Sequence, residues 1–250
     1  MHVHIVYAHP STGSLNAALR DEAIRTLEAR GHSTTLSDLY AMKWKPVADY
    51  DDLGPVTDEN FMEASGEAHR SGTLSDDIRR EQQLLLDADA VILQFPLWWF
   101  TMPAIMKGWV DRVLTNGFGY GTVRGWRRYG EGVLAGKHGL AIVTTGAAEA
   151  HMSDRGINGS IDDLLFPINH GIFFYTGMDA LPPVHIAGAV RLDEDGYRAG
   201  VERLRRRLEA LEETEPIAYR AQRGGDYDEH RRLKPGLERP GASGFDLHIA

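Results

Sequence analysis

Short apolar segments alternate with segments of helical spacing along most of the chain. The apolar segments are rich in Val, Ile and Leu and predict strands at residues 3–8, 33–39, 90–95, 140–145 and 180–186. Elsewhere the spacing of apolar residues predicts helices at 15–30, 75–86, 103–114, within 161–175 and at 200–211. Because such alternation needs crossover connections, we predict an α/β fold with a doubly wound, parallel, five-stranded sheet and helices on both faces.

Two segments lie outside this alternation. Residues 43–74 are rich in Asp, Gly, Pro and Ser, and we interpret them as an excursion over the surface. Residues 214–250 are polar and irregular, and we predict that they form a C-terminal arm or small subdomain attached to a main domain at 1–213. Ligands of parallel α/β sheets bind beyond the carboxyl ends of the strands. The residues that follow each strand are therefore the candidates for a site.

Composition excludes several classes of function. The net charge is −9 and no basic patch is present, which disfavours nucleic acid as a partner, and the absence of cysteine excludes thiol catalysis and disulfides. The histidines are scattered, so we predict no metal site, and we interpret His2 and His4 as a solvated strand edge. The uncharged stretch 90–106 is shorter than the roughly 20 residues of a spanning helix. With no signal-peptide pattern at the N-terminus, we expect a cytoplasmic protein without stable membrane insertion.

The loop after the first strand reads HPSTGSLN, residues 9–16, and leads into a helix. It is neither the G-x-G-x-x-G dinucleotide motif nor a Walker A loop. Its backbone N–H groups, the positive helix end, Ser14, Asn16 and His9 are candidates for binding a phosphate. The alternative is an ordinary N-capped helix.

The loop after the third strand, PLWWFTMP, contains three consecutive aromatic residues, Trp98, Trp99 and Phe100, between two prolines. They could belong to the core or to a subunit interface. Because they lie in a constrained loop at the ligand end of the sheet, they are also candidates for a platform that binds a flat ring. The residues alone leave these alternatives open.

The loop after the fourth strand begins Thr144-Thr145-Gly146-Ala147, which combines hydroxyl groups with a glycine that permits close backbone approach. By itself it is a strand-end turn. Together, a phosphate-type loop, an aromatic loop and this loop at three strand ends predict a site for a phosphorylated planar cofactor. Flavin fits better than nicotinamide, because the Gly-rich dinucleotide motif is missing.

Several longer motifs resemble those of the flavodoxin-like NAD(P)H:quinone oxidoreductases, the DT-diaphorase family, in a bacterial-type form. They occur in the family's order between residues 3 and 215, and they are YAHPSTGSLN, SDLYAMKWKP, QFPLWWFTMPAIMKGWVDRV, VTTGAAEA and GINGSIDDLLFPINHGIFFYTGM. The resemblance implies a flavodoxin-like fold and a homodimer with FAD at its interface.

The resemblance also implies which residues meet the cofactor. Those carried over to the cofactor phosphates are His9, Ser14, Leu15 and Asn16. Those carried over to the isoalloxazine ring are Pro96, Leu97, Trp99, Phe100, Thr144, Thr145, Gly146 and Ala147. Trp98 departs from the family pattern, and we expect it beside the cofactor on the substrate side.

Family members transfer a hydride from NAD(P)H to flavin N5 and then reduce a quinone to the hydroquinone in one two-electron step. The Tyr and His with which mammalian-type members stabilise charge and relay a proton correspond here to Met152 and Asn158. Met can do neither, and Asn can donate a hydrogen bond but cannot relay a proton at neutral pH. The resulting catalytic candidates are Asn158, Tyr120, His151 and Gly146. The predicted substrate pocket comprises Trp98, Tyr120, Met152, Asn158 and Tyr175.

The predicted function is therefore reduction of a quinone, or another small aromatic electron acceptor, with NADH or NADPH as co-substrate. FMN in place of FAD is an alternative, since the adenine-side contacts are not diagnostic. Two other functions stay open on the sequence: a non-catalytic flavoprotein subunit of a membrane potassium-efflux system, and a nitro- or azo-reductase that uses the same site.

Overall fold

The computed structural model describes residues 1–57, 60–123 and 125–250. Its strands are β1 (His2–Tyr7), β2 (Ser33–Asp38), β3 (Ala90–Pro96), β4 (His138–Thr144), β5 (Asp179–Ala180) and β6 (Val184–Ile186). Its α-helices are α1 (Leu15–Ala29), α2 (Phe61–Ser71), α3 (Asp76–Asp87), α4 (Ala104–Val113), α5 (Ile161–Ile168) and α6 (Glu194–Glu209). A π-helical segment, Asn169–Phe174, continues α5.

The strands form one parallel sheet in the order β2-β1-β3-β4-β5, with β6 also paired to β4. This is the flavodoxin-like order, as predicted. The prediction of one last strand at 180–186 is wrong in detail. Pro182 and Pro183 separate β5 from β6, since proline has no N–H to donate to the ladder. The two short strands pair with the beginning and the end of β4, so together they fill the fifth position of the sheet.

Helices cover both faces of the sheet, as predicted. On one face, Leu19 of α1 and Leu204 of α6 are fully buried in the same apolar cluster. On the other face, Leu85 of α3 and Met106 of α4 belong to a second buried cluster. The sheet is thus covered on both sides, and ligands can approach it only at its ends or through its loops.

The interpretation of residues 43–74 as a surface excursion is wrong. Trp44 and Leu53 are buried in the core, and α2 buries the small residues Ala64 and Ala68. Small residues give a weak apolar pattern but allow close packing, so composition concealed this helix. The predicted start of the last helix at residue 200 is also wrong, because Asp193 caps α6 by accepting a hydrogen bond from the Gly196 N–H at 2.8 Å.

A buried arginine connects residues 43–74 to the rest of the main domain. Arg112 of α4 donates two hydrogen bonds to Asp52, at 3.0 and 2.8 Å, and its Nη1 lies 2.8 Å from Asp77 Oδ2. Its guanidinium also lies over the ring of Trp44, 4.5 Å from the centroid. The segment is therefore held by a buried ionic network as well as by apolar packing.

The interpretation of His4 as part of a solvated edge is wrong as well. His4 is fully buried and shares a hydrogen bond with Thr35 Oγ1, and its Nε2 lies 3.8 Å from Glu81 Oε2. Glu81 also accepts hydrogen bonds from Ser37 and Trp109. Burial opposes ionisation of Glu81, but the hydrogen bonds from these neighbours outweigh it and lower the pKa of the carboxyl.

The residues after α6 are irregular apart from a short 3-10 helix, Gly244–His248, and they pack against the main domain. The Ile217 N–H donates to Ala180 O at 2.8 Å, and Phe245 stacks on Phe166 of α5 with ring centroids 4.1 Å apart. Within the described residues, every helix is too short or too polar to cross a bilayer.

Candidate active site

Three of the predicted loops meet at the carboxyl edge of the sheet. The rings of His9 and Trp98 lie with centroids 6.2 Å apart, which brings the first loop next to the aromatic loop. The Leu97 N–H donates to Thr144 O at 2.8 Å, and Asn16 Nδ2 donates to Thr144 Oγ1 at 2.9 Å. The loops that follow β1, β3 and β4 therefore form one continuous surface.

The aromatic loop is a tight turn with an unusual backbone. Trp98 and Thr101 exchange backbone hydrogen bonds of 2.9 and 3.2 Å, and the two central residues, Trp99 and Phe100, have φ of 52° and 62°. Positive φ at both central positions is the pattern of a type I′ turn, which normally selects Asn and Gly. Bulky side chains in this conformation cost on the order of 1–2 kcal/mol each.

The aromatic side chains point away from the protein. Trp99 is 93% exposed, Phe100 50% and Trp98 40%. The interpretation of these residues as core is therefore excluded, and the ligand platform and the subunit interface remain. Exposed, contiguous aromatic residues on a strained turn are typical of a surface that another molecule covers.

The first loop caps α1 and presents its first turn. Ser14 Oγ accepts the Ala17 N–H at 3.1 Å and donates to Ser11 O at 2.8 Å, so the ordinary capping role exists. The N–H groups of Leu15 and Asn16 belong to the helix's first turn, where backbone donors and the helix dipole favour an anion. The predicted donor role of Asn16 toward phosphate stays a prediction: its side chain is buried, and its amide donates one hydrogen bond to Thr144 Oγ1.

The hydroxyl groups of the third loop are also engaged within the chain. Thr144 Oγ1 accepts from Asn16, and Thr145 Oγ1 shares a 2.8 Å hydrogen bond with Nε2 of His185 in β6. Gly146 is exposed, and a Cβ there would meet nothing closer than Val190 at 3.7 Å. Packing does not require glycine at this position. The loop therefore offers a ligand its backbone around Gly146 and Ala147 rather than its threonine side chains.

The loop around residue 158 packs internally. Asn158 Nδ2 lies 3.3 Å from Met152 Sδ, and the Asn158 N–H donates to His151 O at 3.1 Å. Met152 is buried, whereas His151 and the neighbouring Ile157 are exposed. The half-buried Asn158 amide can reorient toward a ligand at little cost, because a thioether is only a weak hydrogen-bond acceptor.

Tyr120 and Tyr175, the two tyrosines of the predicted substrate pocket, lie outside the loop around residue 158. Both line a cavity of about 660 Å³ together with residues of α4 and the π-helical segment, such as Val110 and Ile172. Burial raises the pKa of Tyr120, so its hydroxyl stays protonated at neutral pH. The structure thus groups Met152 with Asn158 and places the two tyrosines in a separate cavity.

A further cavity, of about 300 Å³, adjoins the Gly146 loop and was not predicted. Its lining includes Ala148, Glu149, His185, Gly188 and Arg203. Arg203 Nη1 donates to His185 O at 2.9 Å and lies 3.2 Å from Glu149. Burial lowers the pKa of His185, so this imidazole is neutral at pH 7. This cavity could not be predicted from the sequence, because its residues come from β6, α6 and the loop after β4.

This architecture corresponds to a known family. The Flavodoxin_2 family, described as having the flavodoxin-like fold, matches residues 1–208, and the chain belongs to it. Among curated proteins, the ribosyldihydronicotinamide dehydrogenase-like protein TraD of Penicillium crustosum is 46% identical over 257 residues, which cover 99% of this chain and 95% of the relative. The human ribosyldihydronicotinamide dehydrogenase [quinone] is 39% identical over 220 residues, which cover 86% of this chain and 94% of the relative.

A solved structure is similar over its whole length. The crystal structure of a candidate quinone reductase from Klebsiella pneumoniae superposes with a TM-score of 0.95 at 48% sequence identity, covering 100% of both chains. The similarity to this protein and to the fungal relative therefore includes residues 214–250, which lie beyond the family match.

Proposed function

We propose that the protein is a flavin-dependent NAD(P)H:quinone oxidoreductase. The observation that carries the proposal is the turn at Trp99 and Phe100. Its backbone is strained, its aromatic side chains are exposed, and it lies beside the first turn of α1. An aromatic platform next to a helix N-terminus is complementary to a planar ring that bears phosphate. The names of the human and Klebsiella relatives support the same activity.

Each loop has a defined role toward the cofactor in this proposal. Flavin, when bound, supplies the hydride acceptor and donor. Leu15 and Asn16 hold phosphate through backbone N–H groups, and Ser14 keeps those groups oriented. Trp99 and Phe100 face the ring, and the backbone around Gly146 binds its polar edge. His9 and Trp98 lie at the border between the first two loops.

Two copies of the chain complete the site in our proposal. Tyr120 and Tyr175 are predicted substrate residues but lie in a separate cavity from Asn158. If all of them contribute to one pocket, two subunits must share it. The 93% exposure of Trp99 and 92% exposure of Ile157 in a single chain support a covering subunit, and we propose a homodimer.

We propose FAD rather than FMN as the cofactor. The cavity beside Gly146 gives room for an adenosine group beyond the phosphates, and Arg203 lies at its wall. We expect Arg203→Gln to weaken FAD binding about tenfold and to leave FMN binding within twofold, because only FAD carries the group that reaches this wall. Fluorescence titration of the flavin-free protein with each cofactor measures both values.

Arg206→Gln is the matched control, since Arg206 lies on the same helix and its one ion pair in the described part of the chain is with exposed Glu202. Equal losses for FAD and FMN in Arg203→Gln would exclude the assignment of this cavity to adenosine.

In our proposal Asn158 donates a hydrogen bond to a carbonyl of the cofactor or substrate. We expect Asn158→Ala to slow at least one half-reaction by about tenfold, which is the effect of losing one such hydrogen bond. Stopped-flow measurement of flavin reduction by NAD(P)H and of reoxidation by menadione separates the two steps. Ser153→Ala, which removes a hydroxyl that donates to Ala150 O on the same loop, should keep both rates. Wild-type rates for both steps in Asn158→Ala would remove this role.

The function itself is tested on the purified chain. A flavin absorption spectrum and oxidation of NADH or NADPH with menadione as acceptor are the expected results. A protein that binds neither FAD nor FMN would overturn the proposal. A flavin-loaded protein that reduces azo or nitro compounds but not quinones would change the substrate class and keep the site.

A further inference from the structure

Residues 214–250, the segment after α6, form one wall of a third cavity. Arg220 fixes this wall. It is 8% exposed, and it donates to Leu237 O at 2.6 Å, to Leu247 O at 3.2 Å and to Asp226 at 2.6 Å. Because one buried side chain binds three separate points of the segment, the wall is an ordered part of the structure.

The cavity has a volume of about 210 Å³ and lies between this segment and the main domain. The main domain contributes Arg128, Tyr129 and His170 to the lining, and the C-terminal segment contributes Arg220, Gln222, Tyr227, Arg231 and His248. The lining contains three arginines and no carboxylate, although the chain as a whole carries a net charge of −9.

Two of these arginines have no ionic partner within the described part of the chain. Arg220 is paired with Asp226, but Arg128 and Arg231 form no ion pair there. Arg128 has a single weak hydrogen bond, to Gly121 O at 3.5 Å, and its buried Nε has no acceptor among the described residues. Arg128 and Arg231 line the same cavity without a counter-charge among the described residues, and a guanidinium is the group that best matches a carboxylate or phosphate.

The remaining lining is aromatic. Tyr129, Tyr227, His170 and His248 provide ring faces, and Tyr227 OH shares a 2.9 Å hydrogen bond with His248 Nδ1. Burial lowers the pKa of His170 to about 4, and burial also lowers the pKa of His248. Both imidazoles are therefore neutral at pH 7, where the positive charge of the cavity comes from the arginines. The volume is below the roughly 300–1,000 Å³ typical of pockets for drug-sized ligands.

We infer that this cavity binds a small aromatic anion, a single ring that carries a carboxylate or phosphate group. Arg128 and Arg231 bind the anionic group, and the tyrosine and histidine rings enclose the aromatic part. The buried Oε1 of Gln222, which has no hydrogen-bond donor among the described residues, adds an acceptor for a hydroxyl on the ring. This site goes beyond the proposed quinone reductase activity and does not depend on it.

Direct binding to the full chain tests the inference without any turnover. Isothermal titration calorimetry with benzoate and with phenyl phosphate should give saturable binding of one molecule per chain. Arg128→Gln and Arg231→Gln should each weaken binding at least tenfold, the effect of losing one charge-assisted contact. Tyr129→Phe keeps the ring and removes only the hydroxyl, so it should weaken binding less than either arginine variant does. The matched control is Arg239→Gln, at an exposed arginine of the same segment, and it should stay within twofold.

Several outcomes would overturn the inference. These are no saturable binding of either probe, equal binding in the arginine variants, and benzamide binding as tightly as benzoate. Inorganic phosphate that binds as tightly as phenyl phosphate would exclude the aromatic part.

Titration with NADPH and NADH identifies the source of the anionic group. If the arginine variants weaken only NADPH, the group is the nucleotide's extra phosphate, and if they change neither, it belongs to a free aromatic acid. Both results support the site.

Discussion

Replacing Trp99-Phe100 with Asn-Gly should stabilise the flavin-free protein and at the same time remove most of its affinity for flavin. We expect the free energy of unfolding to rise by about 1–3 kcal/mol, because Asn and Gly tolerate the positive φ that these two positions adopt. We expect the flavin Kd to rise about 100-fold, because the substitution removes two aromatic contacts to the ring. The strain is maintained in the natural sequence because the turn presents the aromatic side chains outward.

Urea denaturation of the flavin-free protein measures the first effect, and quenching of flavin fluorescence measures the second. Lys43→Gly is the matched control, since Lys43 is exposed and has φ of 53° in another turn. It should gain stability and leave flavin binding unchanged. A double variant that gained no stability would show that the turn is unstrained, and unchanged flavin binding would remove the aromatic turn from the site.

This turn also shows which of its features could be predicted from the sequence and which could not. The position of the aromatic residues after β3 followed from the apolar run before them and from the parallel sheet, whose strand ends converge. Their backbone conformation did not follow, because local propensity disfavours two aromatic residues with positive φ. Predictions from local preference fail at such positions, which are often the functional ones.

The direction of individual side chains also could not be predicted from the sequence. Asn16 has the residue type and position of a phosphate ligand, yet the register of β4 places Thr144 within reach of its amide. His4 looked solvated on its own strand, and its burial depends on Glu81, which comes from α3. Both outcomes depend on how distant elements pack, and periodicity within one segment carries no information about that packing.

The cavities were the least predictable feature. Tyr120, Tyr175 and Arg203 come from elements widely separated in the sequence, and motif resemblance gave the tyrosines a role without giving their location. A parallel sheet with helices on both faces, by contrast, followed from the alternation of apolar strands and helices and from the rules of crossover connection. The flavodoxin-like strand order followed from the motif resemblance, and the composition of each pocket required the three-dimensional structure.

Removing Arg112 should have the largest effect on stability. The guanidinium is 3% exposed and holds Asp52, itself 3% exposed, through two hydrogen bonds, together with Asp77. Arg112→Met leaves a buried carboxylate whose one remaining ionic partner among the described residues is the partly exposed Lys45. Breaking a buried pair in this way costs about 3–5 kcal/mol. Urea denaturation at pH 7 measures the loss.

The effect of pH distinguishes lost charge pairing from lost packing. Burial opposes ionisation of Asp52 and Asp77, but hydrogen bonds from Arg112 outweigh it and lower the pKa of both carboxyls in the folded protein. Their contribution is therefore fully present above the unfolded-state pKa of about 3.9 and is lost as pH falls through the lower folded-state values. The stability difference between wild type and Arg112→Met should narrow below about pH 4. Arg198→Met, which breaks an exposed pair with Glu194, should lower the free energy of unfolding by less than about 1 kcal/mol both at pH 7 and below pH 4. A constant difference across this pH range would mean that Arg112 acts through packing over Trp44 rather than through its charge.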